Sequence, residues 1–226
     1  MSKNLVSKAS EGIFSNPYIR SLTQLVPGGG TLDILVQERV DRIKKERFEI
    51  LINELIEGNL ELTEEIIQSE EFIHAYLQTA KAVSATQQKE KIKLMADLFI
   101  SSYKQNSFSK VDEYEELLQI VKDLSTREMN ILFILEVFEN NNPKLQNENM
   151  LQRCSKFWTD FENEVQHKLG LNPSLLESAL SRLQRTGLYS VITGAFMDYE
   201  GGQGYLTDSY YQLRRLIINK MDSGDI

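Results

Sequence analysis

The sequence predicts a mainly α protein: an N-terminal helical bundle followed by a winged-helix-like domain with a small β-hairpin. Three observations carry this reading. Apolar residues recur at helical spacing through most of the chain, and cap and stop residues divide that pattern into segments. The β-prone pieces are confined to 188–193 and 205–206.

The 226 residues are 41% hydrophobic and 26% charged, enough apolar material for one large or two small cores. Residues 1–30 are expected to be a partly ordered arm, punctuated by Pro17, Pro27 and the run Gly28, Gly29 and Gly30. The bundle is expected over 31–123. Thr31 is the N-cap of a long helix whose stripe is Leu32, Leu35, Val36, Ile43, Phe48, Leu51, Ile52 and Leu55, with Gly58 as its stop. A second helix starts at Thr63 with Glu64 and Glu65 in its first turn, where the dipole favours acids, and buries Ile66, Ile67, Ile73, Tyr76, Leu77 and Ala80. A third covers 87–103 through Ile92, Met95, Ala96 and Phe99. After a loop at 104–110, a fourth follows with Val111, Tyr114, Leu117, Leu118 and Val121.

The winged-helix-like domain is expected over 124–226. Ser125 and Glu128 form a capping box, each side chain satisfying the other's backbone N–H. The helix they open is apolar on most faces through Phe138 and is predicted to be buried and central, with the run 140–143 as its stop. Leu151, Cys154, Phe157, Trp158, Phe161, Val165 and Leu169 trace one stripe ending at Gly170. Asn172 and Pro173 restart a helix in the favoured order of cap then proline, turning Leu175, Leu176, Ala179, Leu180 and Leu183 inward up to Gly187. A hairpin turned by Gly201, Gly202 and Gly204 leads to a terminal helix capped by Thr207, with Tyr210, Tyr211, Leu213, Leu216 and Ile217.

Three stretches resemble the bacterial abortive infection alpha group: the helix 89–99, the segment 124–129, and 180–188 followed by 205–207. The likeness covers roughly the second half of the chain, plus a Pro-Gly-rich lead into the first long helix. It implies a link to defence against phage and carries over no catalytic residues.

Charge and chemistry narrow the function. Lys and Arg number 25 against 33 Asp and Glu, a net charge of -8, which repels phosphate backbones at long range. Cys154 is the single cysteine, so no intrachain disulfide forms and a reducing compartment is expected. Residues 1–10 lack a signal-peptide core. The run 131–138, broken by Glu136, falls far short of the ~20 residues that span a bilayer. The expectation is a cytoplasmic protein with no transmembrane segment.

His74 and His167 lie in different helices without neighbouring ligands at metal spacing, and Cys154 sits on an apolar stripe where a thiol is inert. The glycine run lacks the Lys and Ser/Thr of a phosphate loop, and Asp33 follows it instead. The basic stretch 39–47 is interleaved with Asp41 and Glu46 and reads as a salt-bridged helix face. No catalytic residue, metal site or cofactor is therefore expected.

The candidate contact residues are Ser178, Arg182 and Arg185, on the helix that a winged-helix domain would present to DNA or to a partner. The wing carries Asp198 and Glu200 without Lys or Arg. Over 123–226 there are 10 Lys and Arg against 14 Asp and Glu, which disfavours nucleic acid. The expectation is a non-enzymatic interaction or regulatory protein that contacts a protein partner or another copy. The alternative is a winged-helix DNA-binding transcriptional regulator.

Overall fold

The structure, a computed structural model, describes residues 34–60, 62–105, 111–193 and 201–217. The arm at 1–30, the Thr31 cap with Leu32, loop residues 106–110, and Asp198 and Glu200 lie outside the described residues, as do the side chains of Leu35, Val36 and Val111. The described residues are mainly helical with one two-stranded antiparallel hairpin. Its contacts divide into two compact units, one running to Asp123 and including Leu216 and Ile217, the other Leu124–Arg215.

The first unit contains α1 (Ile34–Glu57), α2 (Glu64–Gln68), α3 (Glu70–Ala85), α4 (Lys89–Lys104) and α5 (Val111–Asp123). Helix α4 packs against α1, α3 and α5. Its residues from Leu94 to Ser102 are all buried, Asp97 and both serines included. Phe99 is the hub of a ring cluster, edge-on to Phe72 at 5.4 Å and to Tyr76 and Tyr114 at 6.3 Å each. Beside it the hydroxyls of Thr79 and Tyr114 bond to each other. Two lysines stop helices by donating to their last carbonyls, where the dipole favours a cation: Lys104 Nζ to Gly58 O at 2.9 Å and Lys91 Nζ to Lys122 O at 2.6 Å.

The sequence placed Ile43, Ile66, Ile67 and Leu77 on inward stripes, and the structure corrects each. Ser69 ends α2 and caps α3 through its hydroxyl, which accepts from Phe72 N at 3.2 Å, so the expected single helix is two. The break rotates the stripe: Phe72, Ala75, Tyr76, Thr79, Ala80, Ala82 and Val83 are buried on α3, nothing is buried on α2, and Leu77 is exposed. Ile43 is exposed on the outer side of α1.

The second unit contains α6 (Thr126–Asn141), α7 (Met150–Ser155), α8 (Trp158–Leu169), α9 (Pro173–Arg185), β1 (Tyr189–Val191), β2 (Gly204–Leu206) and the main part of α10 (Asp208–Ile217). The capping box of Ser125 and Glu128 opens α6, with bonds of 2.8 and 3.2 Å. This helix buries Met129, Ile131, Leu132, Ile134 and Leu135 but leaves Val137 57% exposed, so the helix buried on nearly all sides is α4 rather than α6. The expected continuous stripe from Leu151 to Leu169 is broken at Lys156 and Phe157 into α7 and α8; Phe157 still reaches the core, stacked on Phe138 at 6.0 Å. Gly170 ends α8 at φ 65°, a left-handed position that suits glycine.

The strands pair Tyr189 with Leu206 and Val191 with Gly204. In this register residues 203, 205 and 207 bond toward β1, so the backbone groups of 204 and 206 point to the other edge. Side chains occupy that edge where another strand would pair. The Cys154 thiol donates to Gly204 O at 3.3 Å, and Glu139 Oε1 accepts from Leu206 N at 2.8 Å.

Candidate functional site: the outer face of α9

Helix α9 begins where Asn172 Oδ1 accepts from Leu175 N at 3.0 Å and Pro173 fills the first turn. Leu176, Ala179, Leu180 and Leu183 face inward. With about 100° per residue, the opposite side carries Leu175, Ser178, Arg182 and Arg185 at i, i+3, i+7 and i+10. All four are exposed, Leu175 by 49%. Leu175 was expected inward; adjacent helical residues diverge by about 100°, and Leu176 takes the core position. The three candidate residues Ser178, Arg182 and Arg185 thus share one face, with the displaced leucine at its N-terminal end.

The three differ in freedom. Ser178 Oγ donates to Ser174 O at 3.0 Å, a local helix bond. Arg182 Nε donates to Glu128 Oε1 at 2.7 Å, which anchors the guanidinium while its side chain stays 49% exposed. Glu128 is thereby shared between the α6 cap and α9. Burial alone would push its carboxyl up, but the bonds from Arg182 and from the Ser125 N–H and hydroxyl outweigh burial and hold it below the usual carboxylate range. Arg185 is exposed in the last turn.

This pairing belongs to a larger pattern. Helix α6 carries three glutamates that each meet an arginine from another element: Glu128 with Arg182, Glu136 with Arg214 at 2.9 Å, and Glu139 with Arg153 at 3.2 Å. Glu139 is 3% exposed and also accepts from Leu206 N and from the Tyr211 hydroxyl at 3.2 Å. Burial pushes its carboxyl above the ordinary value against those donors. Arg214 lies over the Phe133 ring at 5.2 Å, and Tyr210 donates to Glu136 at 2.9 Å. Half of the six arginines in 124–215 are thus committed to internal carboxylates.

The remaining candidate chemistry is dispersed. His74 Nε2 lies 2.7 Å from Glu115 Oε1, which also accepts from Gln78 at 3.2 Å, beside an open groove of about 570 Å³ lined by Lys81, Glu116, Gln119 and Lys122. His167 is exposed in the last turn of α8. The Cys154 thiol is buried and pushed up to about 12, chiefly by burial and then by the Glu139 charge. Trp158 Nε1 donates to Glu162 at 2.8 Å. Among the described residues no three His, Cys, Asp or Glu side chains gather as a metal site, and no helix is long and apolar enough to cross a membrane.

Comparison with protein-family models, curated proteins and solved structures finds no match to the chain.

Proposed function

We propose that this chain is a non-enzymatic interaction protein, a component of bacterial anti-phage defence, and that it contacts a protein partner through the outer face of α9. One observation carries the reading: an exposed leucine, a serine and two arginines align along α9, and Glu128 fixes the first arginine from beneath. Arginine is enriched at protein interfaces, and a guanidinium already anchored at Nε loses less freedom when its outer nitrogens are engaged. The likeness of the second half to the abortive infection alpha group supports the setting.

The test is purification of the tagged protein from infected and uninfected cells, beside the Leu175→Asp and Arg185→Glu variants. The wild type should retain a partner that both variants lose, and the variants should lose any effect on infection. A wild type that retains no partner and leaves infection unchanged sinks the proposal.

A second reading has its own support. The order α6, α7, α8, α9, hairpin, α10 adds the short α7 to the helix, helix, helix, hairpin, helix order expected of a winged helix; on that reading α9 would be the helix presented to the major groove. As a DNA-binding regulator, the protein should bind duplex DNA at low ionic strength, with Arg182→Ala and Arg185→Ala together weakening binding and flattening its salt dependence. The commitment of Arg153, Arg182 and Arg214 to α6 carboxylates favours the protein-contact reading, because it lowers the free positive charge around α9.

A further inference from the structure

The α9 stripe has a complement on the same chain. On α5 burial falls on Tyr114, Leu118 and Val121. Asp112, Glu116, Gln119 and Asp123 consequently face solvent at i, i+4, i+7 and i+11. Their spacing matches α9 when the two helices run antiparallel. Seven residues separate Leu175 from Arg182, and seven separate Asp123 from Glu116. Three separate Arg182 from Arg185, and four separate Glu116 from Asp112. In that register Arg182 meets Glu116, Arg185 meets Asp112, Ser178 lies over half-buried Ile120, and Leu175 lies at the Asp123 end of α5.

We infer that the α9 stripe docks on the acidic outer face of α5 of a second copy of this chain. The inference rests on the reading of α9 as a contact surface and names its occupant. Charge complementarity selects it: Arg185 meets Asp112, Arg182, held at Nε by Glu128, turns its outer nitrogens to Glu116, and the antiparallel arrangement pairs opposite helix ends. The repulsion between two copies of net charge -8 acts at long range and is screened within about 10 Å at 0.1 M salt, which leaves the close pairs in force. Because the two faces differ, the contact is head-to-tail, and each copy keeps one face of each kind available until a ring closes.

Sedimentation velocity of the full chain near 0.1 M salt, over a hundredfold range of concentration, tests this. The wild type should sediment faster as concentration rises. Arg185→Glu and Asp112→Arg should each weaken association by at least about tenfold, because like charges then face each other. Both changes in one chain should restore it to within about threefold of wild type. Residues 112 and 185 are exposed, and Glu116→Arg serves as an independent reversal on the acidic side. A wild type monomeric throughout, or a double variant without recovery, overturns the inference. If that monomer still loses a captured partner on Arg185→Glu, the α9 reading stands and only the second copy is wrong. If it shifts duplex DNA instead, the stripe belongs to nucleic acid.

Discussion

Arg182 and Glu128, 54 positions apart, meet at 2.7 Å, and the carboxylate that receives the guanidinium also closes the N-terminal cap of α6 through its second oxygen. One side chain thus performs two tasks, and their energies separate by mutation. Glu128→Ala removes the reach-back to Ser125 N and frees Arg182, and should cost about 1–2 kcal/mol, the range for a lost cap. Arg182→Ala leaves the cap intact and removes one half-exposed donor to the buried Glu128 carboxylate, so it should cost less than Glu128→Ala. Urea unfolding of both variants at neutral pH checks the order.

The same carboxyl sets a pH dependence. Its folded value is held below the unfolded one, so its contribution is fully present above the ordinary carboxylate range and disappears as pH falls through the folded value. Glu128→Gln should therefore narrow its stability deficit against wild type as acid is added. A deficit that stays constant from neutral to strongly acidic solution contradicts this assignment.

Glu139 should behave in the opposite sense. Burial raises its folded value above the unfolded one, so its protonation favours the folded state. Stability from this group is fully present below the unfolded carboxylate value and is lost as pH rises through the folded value. At neutral pH Glu139→Ala leaves the Leu206 N–H without its acceptor and removes the carboxylate paired with Arg153, whose guanidinium keeps the carbonyl oxygens of residues 139 and 142, an expected loss of about 1–3 kcal/mol. Glu139→Gln keeps an oxygen for Leu206 and should cost less. Thermal unfolding of wild type and Glu139→Gln across the acid range reads the slope.

What the sequence made legible here was local. Ser125 with Glu128, and Asn172 with Pro173, sit at the helix starts that their spacing predicts, because a cap is a contact between residues three apart. The hairpin lies within the stretch marked by β-prone residues. Stripe register was less legible. Leu175 and Leu176 are equally apolar, and only the packing beneath α9 decides which one turns inward; Phe72 went unremarked because the cap at Ser69 resets the phase of α3. The arginine partners of α6 were illegible: nothing local marks Glu128, Glu136 and Glu139 for pairing until α9, α10 and α7 bring arginines to them. The candidate residues were placed on one face by spacing alone, but nothing in the sequence shows that Arg182 is anchored and Arg185 is not among the paired arginines.

Gly204 is required by the hairpin for space rather than for backbone freedom. A Cβ built on it would fall on the Tyr189 hydroxyl and on the Ser190 carbonyl oxygen of the paired strand. The tyrosine ring can swing away, but the backbone oxygen cannot move without breaking the pairing. Gly204→Ala should therefore destabilise the second unit by at least about 1–3 kcal/mol, the usual cost of overpacking. Adding Tyr189→Phe should not rescue it. Unfolding of both variants is the measurement, and recovery in the double variant would show that the Tyr189 hydroxyl, not the Ser190 carbonyl, is the obstacle.

The Cys154 thiol reports on the integrity of this same edge. It is buried, its Sγ donates to Gly204 O, and burial together with the Glu139 charge pushes its titration up to about 12. At neutral pH only a trace is thiolate, and that trace is shielded from solvent, so alkylation should proceed only when the edge of β2 opens. Labelling of the native protein with iodoacetamide should be far slower than that of the urea-unfolded chain, because burial both suppresses the thiolate and shields it. Glu139→Ala should accelerate native labelling by loosening β2, whereas Arg185→Glu, remote from the strand edge on the outer face of α9, should leave it unchanged. Rapid labelling of the wild type in native buffer would mean that β2 detaches from α7 readily, and the closed edge described for Gly204 and Leu206 would then not be the resting state of the protein.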